Sequence, residues 1–89
     1  MIRQEVVVSN ALGMHARAAA RFVQEASRFK SRIKLSHGER TADGKSILGL
    51  LALVAAQGTR LTISADGTDE QEALRSLVEL VQARFGEER

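Results

Sequence analysis

The stretch GMHARAAARF, Gly13–Phe22, is where the chain changes its period. Upstream, IRQEVVVS is a β-branched run with partial alternation, which predicts a strand over Ile2–Val8. Downstream, Ala19, Phe22, Val23 and Ala26 fall on one face at helical spacing, and Ala and Arg lead the propensity scale, so a helix is predicted over Ala16–Arg28. NALGMH, residues 10–15, is the loop between them. No usual helix starter stands at the boundary: Gly13, Met14 and His15 occupy positions where Ser, Thr, Asp or Asn would accept from the first free amides.

Reading outward, the alternation continues. In RIKLSH, Ile33 and Leu35 point one way and Arg32, Lys34 and Ser36 the other, a half-buried strand. His37-Gly38 makes a turn, and the polar ERTA, residues 39–42, returns as a short strand suited to a sheet edge. Asp43-Gly44 breaks the chain again, and Ser46 is a good N-cap for a short helix whose inward stripe is Ile47, Leu50, Leu51 and Val54. RLTISAD, with Leu61, Ile63 and Ala65 on one face, is a fourth strand. Thr68 or Asp69 then caps a last helix, with Gln71 or Glu72 completing a capping box. Its stripe is Ala73, Leu74, Leu77, Val78, Val81 and Phe85; Gly86 is the stop, and the tail EER is expected to fray. The order is β-α-β-β-α-β-α. It predicts an α+β open-faced sandwich, a four-stranded antiparallel sheet covered on one face by three helices, in a single domain over residues 1–89.

Composition narrows the function. With 89 residues and no cysteine, one small core must supply the stability, and neither disulfides nor a thiolate metal site are available. The start MIRQEVVV has no long apolar segment or small-residue cleavage site, and the longest apolar run, ILGLLALVAA, is too short to span a bilayer; a cytoplasmic, membrane-free protein is expected. A net charge of +2 is too mild to argue for nucleic-acid binding, and the three Phe residues all lie on or beside apolar stripes, leaving no aromatic to stack bases. His37, the other histidine, sits among polar residues without an evident metal-ligand set. GKS at 44–46 resembles the end of a phosphate-binding loop, but Gly38 is one position too early for that motif.

A lone surface histidine is usually inert, but the place of His15 changes its meaning. The first amides of a helix, here those of Ala16, Arg17 and Ala18, lack internal partners and carry partial positive charge, so the space before them favours anions, phosphate above all. The same field disfavours an imidazolium and leaves a lone pair available for nucleophilic attack. The Arg17 guanidinium, two residues into the helix, can fold back to pair with phosphate oxygens. Phosphoryl transfer is mainly positioning and charge stabilisation, which needs few residues.

GMHARAAA, read with GKSILGLLAL some thirty residues on, resembles the histidine-containing phosphocarrier (HPr) family of the bacterial phosphoenolpyruvate-dependent sugar phosphotransferase system. The likeness covers essentially the whole chain. It implies that His15 is phosphorylated on Nδ1 by phospho-enzyme I and passes the group to a histidine of a sugar-specific IIA domain. It further implies that Arg17 assists and that Ser46 is the serine some bacteria phosphorylate with a dedicated ATP-dependent HPr kinase. Such a chain is a stoichiometric carrier with no metal or cofactor, expected to act as a monomer. An alternative is an HPr-like regulatory module working mainly through Ser46, whose plainer role is to cap its helix. The family's usual proline after the arginine is here Ala18, which keeps its N–H. An excess of apolar residues in the second helix suggests a contact patch of Ile47, Leu48 and Leu51 rimmed by Arg17, Arg21 and Lys45, suited to apolar and acidic partner surfaces.

Overall fold

The computed structural model describes residues 1–89. Its elements are β1 (Ile2–Val7), α1 (Ala16–Ala26), β2 (Arg32–His37), β3 (Arg40–Asp43), α2 (Ile47–Ala52), β4 (Arg60–Asp66) and α3 (Glu70–Gln82). The strands form one sheet in the order β1-β4-β2-β3, with every neighbouring pair antiparallel. The polar ERTA segment does lie at an edge, as β3.

Alternation sets the layers. Val6, Ile33, Leu35, Leu61, Ile63 and Ala65 point to the helical side and are buried, while Arg3, Glu5, Arg32, Lys34 and Arg60 stay exposed. α3 packs over β1 and β4, α2 over β3, and α1 lies between the other two helices. Phe22 and Phe85 are the largest side chains sealed between these layers. Burying each removes enough apolar surface to contribute roughly 2–3 kcal/mol relative to leaving it exposed.

The structure corrects four local expectations. α1 stops at Ala26, two residues short of Arg28, and its buried face is Ala18, Ala19, Phe22 and Ala26, with Val23 only half-buried at its margin. α2 has six residues; Leu53 beyond it reaches the core, whereas Val54 turns into the left-handed region (φ 52°) and is 73% exposed. The capping box does not form. Asp69 is the N-cap of α3, but its carboxylate accepts from the Lys30 and Ser31 amides (2.8 and 3.0 Å) and the Ser31 hydroxyl (2.5 Å), so a tertiary clasp to the α1–β2 turn replaces the local cap. Finally, α3 ends at Gln82, and Phe85 reaches the core by a different route: Arg84, Phe85 and Gly86 all have positive φ (58°, 55° and 81°).

Two carboxylates knit the helical layer. Glu25 on α1 accepts from the Ser76 hydroxyl on α3 and from Arg28 (2.8 Å). Ser76, and then Arg28, hold its carboxyl below the usual range, against the upward pull of burial. Asp69 is likewise lowered, chiefly by the Ser31 hydroxyl and then by the Lys30 amide. A carboxylate whose folded value is depressed stabilises the fold above its unfolded value, and that contribution is lost as pH falls through the folded one. The thermal midpoint is therefore expected to fall as pH is lowered from about 5 towards 2, and the Asp69→Ala variant to show a shallower acid decline. Circular dichroism melts of both proteins across that range measure it; parallel acid limbs would refute the clasp.

Candidate functional site at His15

The loop that carries His15 is built around glycine and asparagine. Gly13 has φ 67°, and a Cβ there would run into the Ala55 carbonyl oxygen and come within 2.9 Å of the Ala56 Cα. Only glycine fits. That close approach lets the Met14 amide donate to the Ala55 carbonyl (2.8 Å), which fastens the loop to the segment after α2, while the Met14 side chain is buried. Asn10 is fully buried; its Nδ2 donates to the Gly13 carbonyl (2.8 Å), and the Gly13 amide donates to the Asn10 carbonyl (3.2 Å). The loop is thus closed on itself and pinned from outside.

His15 is the N-cap of α1 in extended conformation, and its side chain caps nothing. Its carbonyl accepts from Ala19 (2.8 Å), the first bond of the helix. The amides of Ala16, Arg17 and Ala18 have no backbone acceptor and face the region where the ring emerges. The ring is part-exposed (26% of the side chain). Arg17 is exposed beside it and shares a shallow depression with Ala11, Leu12, Arg21, Gly86 and Glu87.

The tail, expected to fray, closes this site. Glu87 Oε2 lies 2.5 Å from His15 Nε2, and Glu87 Oε1 accepts from Asn10 Nδ2 at 2.9 Å. The Asn10 amide first, then the His15 ring, hold the Glu87 carboxyl below the usual range, against desolvation. It is therefore ionised near neutral pH and can only accept, so Nε2 carries the ring hydrogen and Nδ1 keeps its lone pair. Nδ1 has no hydrogen-bond partner in the protein. Asn10 and Glu87 are the two site residues that sequence reading missed. The left-handed turn that brings Glu87 back has only Gly86 to announce it.

The remaining candidates divide into two groups. Ser46 caps α2 as expected, its Oγ accepting from the Gly49 amide at 3.0 Å. Leu48 is 81% and Ile47 41% exposed on that helix, with Leu51 half-buried. Arg21 is committed to the Phe85 carbonyl. The Nζ of Lys45 donates to the Phe29 carbonyl (2.8 Å), past the far end of α1 from Arg17, and Lys45 lines a groove with Lys30, Arg32, Lys34 and Thr41. No group of three or more potential ligands is placed to hold a metal ion, and no helix is long and apolar enough to cross a membrane.

Residues 2–83 match the family model described as the PTS HPr component phosphorylation site. The chain belongs to the HPr phosphocarrier family. HPr of Neisseria meningitidis serogroup A is 45% identical over 98% of both chains. The crystal structure of HPr-C-His from Thermoanaerobacter tengcongensis superposes with a TM-score of 0.96 at 42% identity, covering all of both chains. The HPr-like protein Crh of Bacillus subtilis is 46% identical over 92% of this chain and 96% of its own. Membership makes this a phosphocarrier of the phosphotransferase system rather than an enzyme, and confirms the α+β sandwich expected from the element order. Some members associate, since one T. tengcongensis HPr structure is described as a dimer (41% identity, 98% of this chain and 100% of that one, TM-score 0.78).

Gly13 gives the test of the loop. Gly13→Ala is expected to destabilise the fold by about 2–3 kcal/mol, combining left-handed strain with the Ala55 collision. Gly38→Ala, at φ 63° with open space around it, should cost only about 1–2 kcal/mol. Denaturant unfolding of both measures the difference, and equal costs would show that the loop yields freely.

Proposed function

We propose that this chain carries a phosphoryl group on His15 Nδ1, received from phospho-enzyme I with phosphoenolpyruvate as ultimate donor and passed to a histidine of a sugar-specific IIA domain. The observation that supports this most is the ring itself: part-exposed at the mouth of α1, with Nε2 occupied by Glu87 and Nδ1 free beside unpaired amides. Arg17 and the amides of Ala16, Arg17 and Ala18 supply donors to the phosphoryl oxygens. Ala18, in place of the family's usual proline, contributes one N–H more and packs its methyl in the core. The chain needs neither metal nor cofactor for this, and works as one domain over residues 1–89, as a monomer in the cytoplasm.

The partner surface in this reading is apolar at Leu48, Ile47 and Leu51, with Arg17 and Arg21 on its α1 side. Lys45, just before the α2 cap, also borders the β2–β3 groove. A surface of this size suits brief contacts, as a carrier requires.

A second reading rests on Ser46. Its Oγ is already engaged with α2, the likeness to Crh is as high as that to HPr, and phosphorylation there by an HPr kinase would place negative charge beside the Leu48 patch and repel acidic partners. In that case the chain regulates rather than transports.

Incubation with phosphoenolpyruvate and enzyme I is expected to give an acid-labile, base-stable phosphate that His15→Ala abolishes, with Leu48→Asp lowering the initial rate about tenfold or more through weakened docking. A label that survives His15→Ala refutes the carrier assignment. Sugar uptake lost in Ser46→Ala but kept in His15→Ala would favour the regulatory module.

A further inference from the structure

Glu87 lies outside the residues matched by the family model, yet it makes the closest polar contact of the candidate nucleophile. Its placement is over-determined. Phe85 is fully buried, which anchors the turn itself; Arg21 donates to the Phe85 carbonyl; and the Glu87 amide donates to the Arg84 carbonyl at 2.9 Å. Left-handed backbone at two non-glycine residues, Arg84 and Phe85, costs on the order of 1–2 kcal/mol each, a strain held by the burial of Phe85. The carboxylate then bridges two donors of one loop, Asn10 Nδ2 and the His15 ring, and its side chain is only 14% exposed. Because Asn10 also holds the Gly13 carbonyl, the ring and the carboxylate are indexed to the same backbone.

We propose that Glu87 is a positioning residue for phosphoryl transfer: its carboxylate keeps the hydrogen on His15 Nε2, presents Nδ1 as the nucleophile, and balances the charge that the ring acquires on loading. The inference rests on His15 being the phosphorylated residue. In the transfer, the Nδ1 lone pair forms the bond to phosphorus while the bond from phosphorus to the donor breaks and its electron pair leaves with the donor. Nε2 keeps its hydrogen throughout. A neutral imidazole thereby becomes a phosphorylated imidazolium, one positive charge richer, with Glu87 against its N–H. On delivery the N–P electron pair returns to Nδ1, and the ring leaves as neutral imidazole with its hydrogen still on Nε2. No proton has to enter or leave the site in either direction. The carboxylate serves this from the Nε2 edge, where it does not compete with phosphoryl oxygens for Arg17 or the α1 amides. Partners that orient a metal-ligating histidine through its other nitrogen matter by about ten- to a hundredfold, and the Glu87 bond orients this ring in the same way.

The test uses the full chain as wild type, Glu87→Ala, Glu87→Gln and, as a control in the same tail, Glu88→Gln. Loading is titrated to equilibrium with enzyme I and varied ratios of phosphoenolpyruvate to pyruvate. The His15 ring nitrogens are followed by 15N NMR in the unloaded and loaded proteins. Glu87→Ala is expected to lower the loading equilibrium constant about tenfold and to speed solvent exchange of the Nε2 hydrogen. Glu87→Gln should fall with it, because both Glu87 oxygens face donors and an amide would set its NH2 against one of them. Glu88→Gln should match wild type. Wild-type loading and ring signals in Glu87→Ala would overturn the proposal. The ring signals are read in the folded, unloaded protein, so a loss of stability cannot imitate the result. Failure of wild type itself to accept phosphate would instead overturn the reading of His15 on which this inference rests, and is told apart by the absence of any label in all four proteins.

Discussion

The Asn10 amide is the constraint on which the site depends. It is fully buried, and its nitrogen serves two acceptors, the Gly13 carbonyl and the Glu87 carboxylate. Turning the amide over would aim its oxygen at those same two oxygens, so the orientation is dictated even though Oδ1 then has no protein partner. A buried acceptor left unpaired costs about 1–3 kcal/mol. That this arrangement persists shows how much the two donated bonds are worth: one closes the loop before the helix, the other fixes the chain terminus against it.

From that hub the rest follows by geometry. The closed loop requires Gly13, Gly13 allows Met14 to reach Ala55, and the docked loop delivers His15 at the start of α1 with nothing to cap the helix but its own carbonyl. A Ser or Asp at position 15 would have satisfied an amide and closed the mouth. The missing cap is therefore a local loss of stability that leaves three donors without a backbone acceptor at the start of the helix, and the core of Phe22, Phe85 and the sheet-facing aliphatics compensates for it.

The strands were legible because a period of two survives any tertiary context in which one face is buried: Ile33, Leu35, Leu61, Ile63 and Ala65 all went inward as their alternation required. The start of α1 and the Ser46 cap were legible for the same reason, each being settled within a few residues. What the sequence hid was tertiary. Asp69 looked like a cap, but the turn carrying Lys30 and Ser31 offers its carboxylate three donors, more than its own helix would. Phe85 fell on the helical stripe and is indeed buried, but by a left-handed turn that no β-turn signal announces in Arg84-Phe85. Asn10 read as a loop residue because burial of a polar side chain depends on what the far end of the chain brings, here Glu87, 77 positions away.

A carboxylate beside a phosphoryl acceptor looks self-defeating, since the incoming group is itself an anion. The ring resolves the conflict by having two edges. Coulomb repulsion between Glu87 and the phosphoryl oxygens acts across the imidazole, and in the loaded state the imidazolium lies between the two anions, attracted to both. Arg17 and Arg21, which line the same depression from α1, are cations and add to the attraction. A carrier must bind its group neither so tightly that delivery fails nor so weakly that loading does. Here the positive side of the balance comes from backbone amides and arginines, and the negative side at the ring from the Glu87 carboxylate, held on a turn whose own backbone is strained.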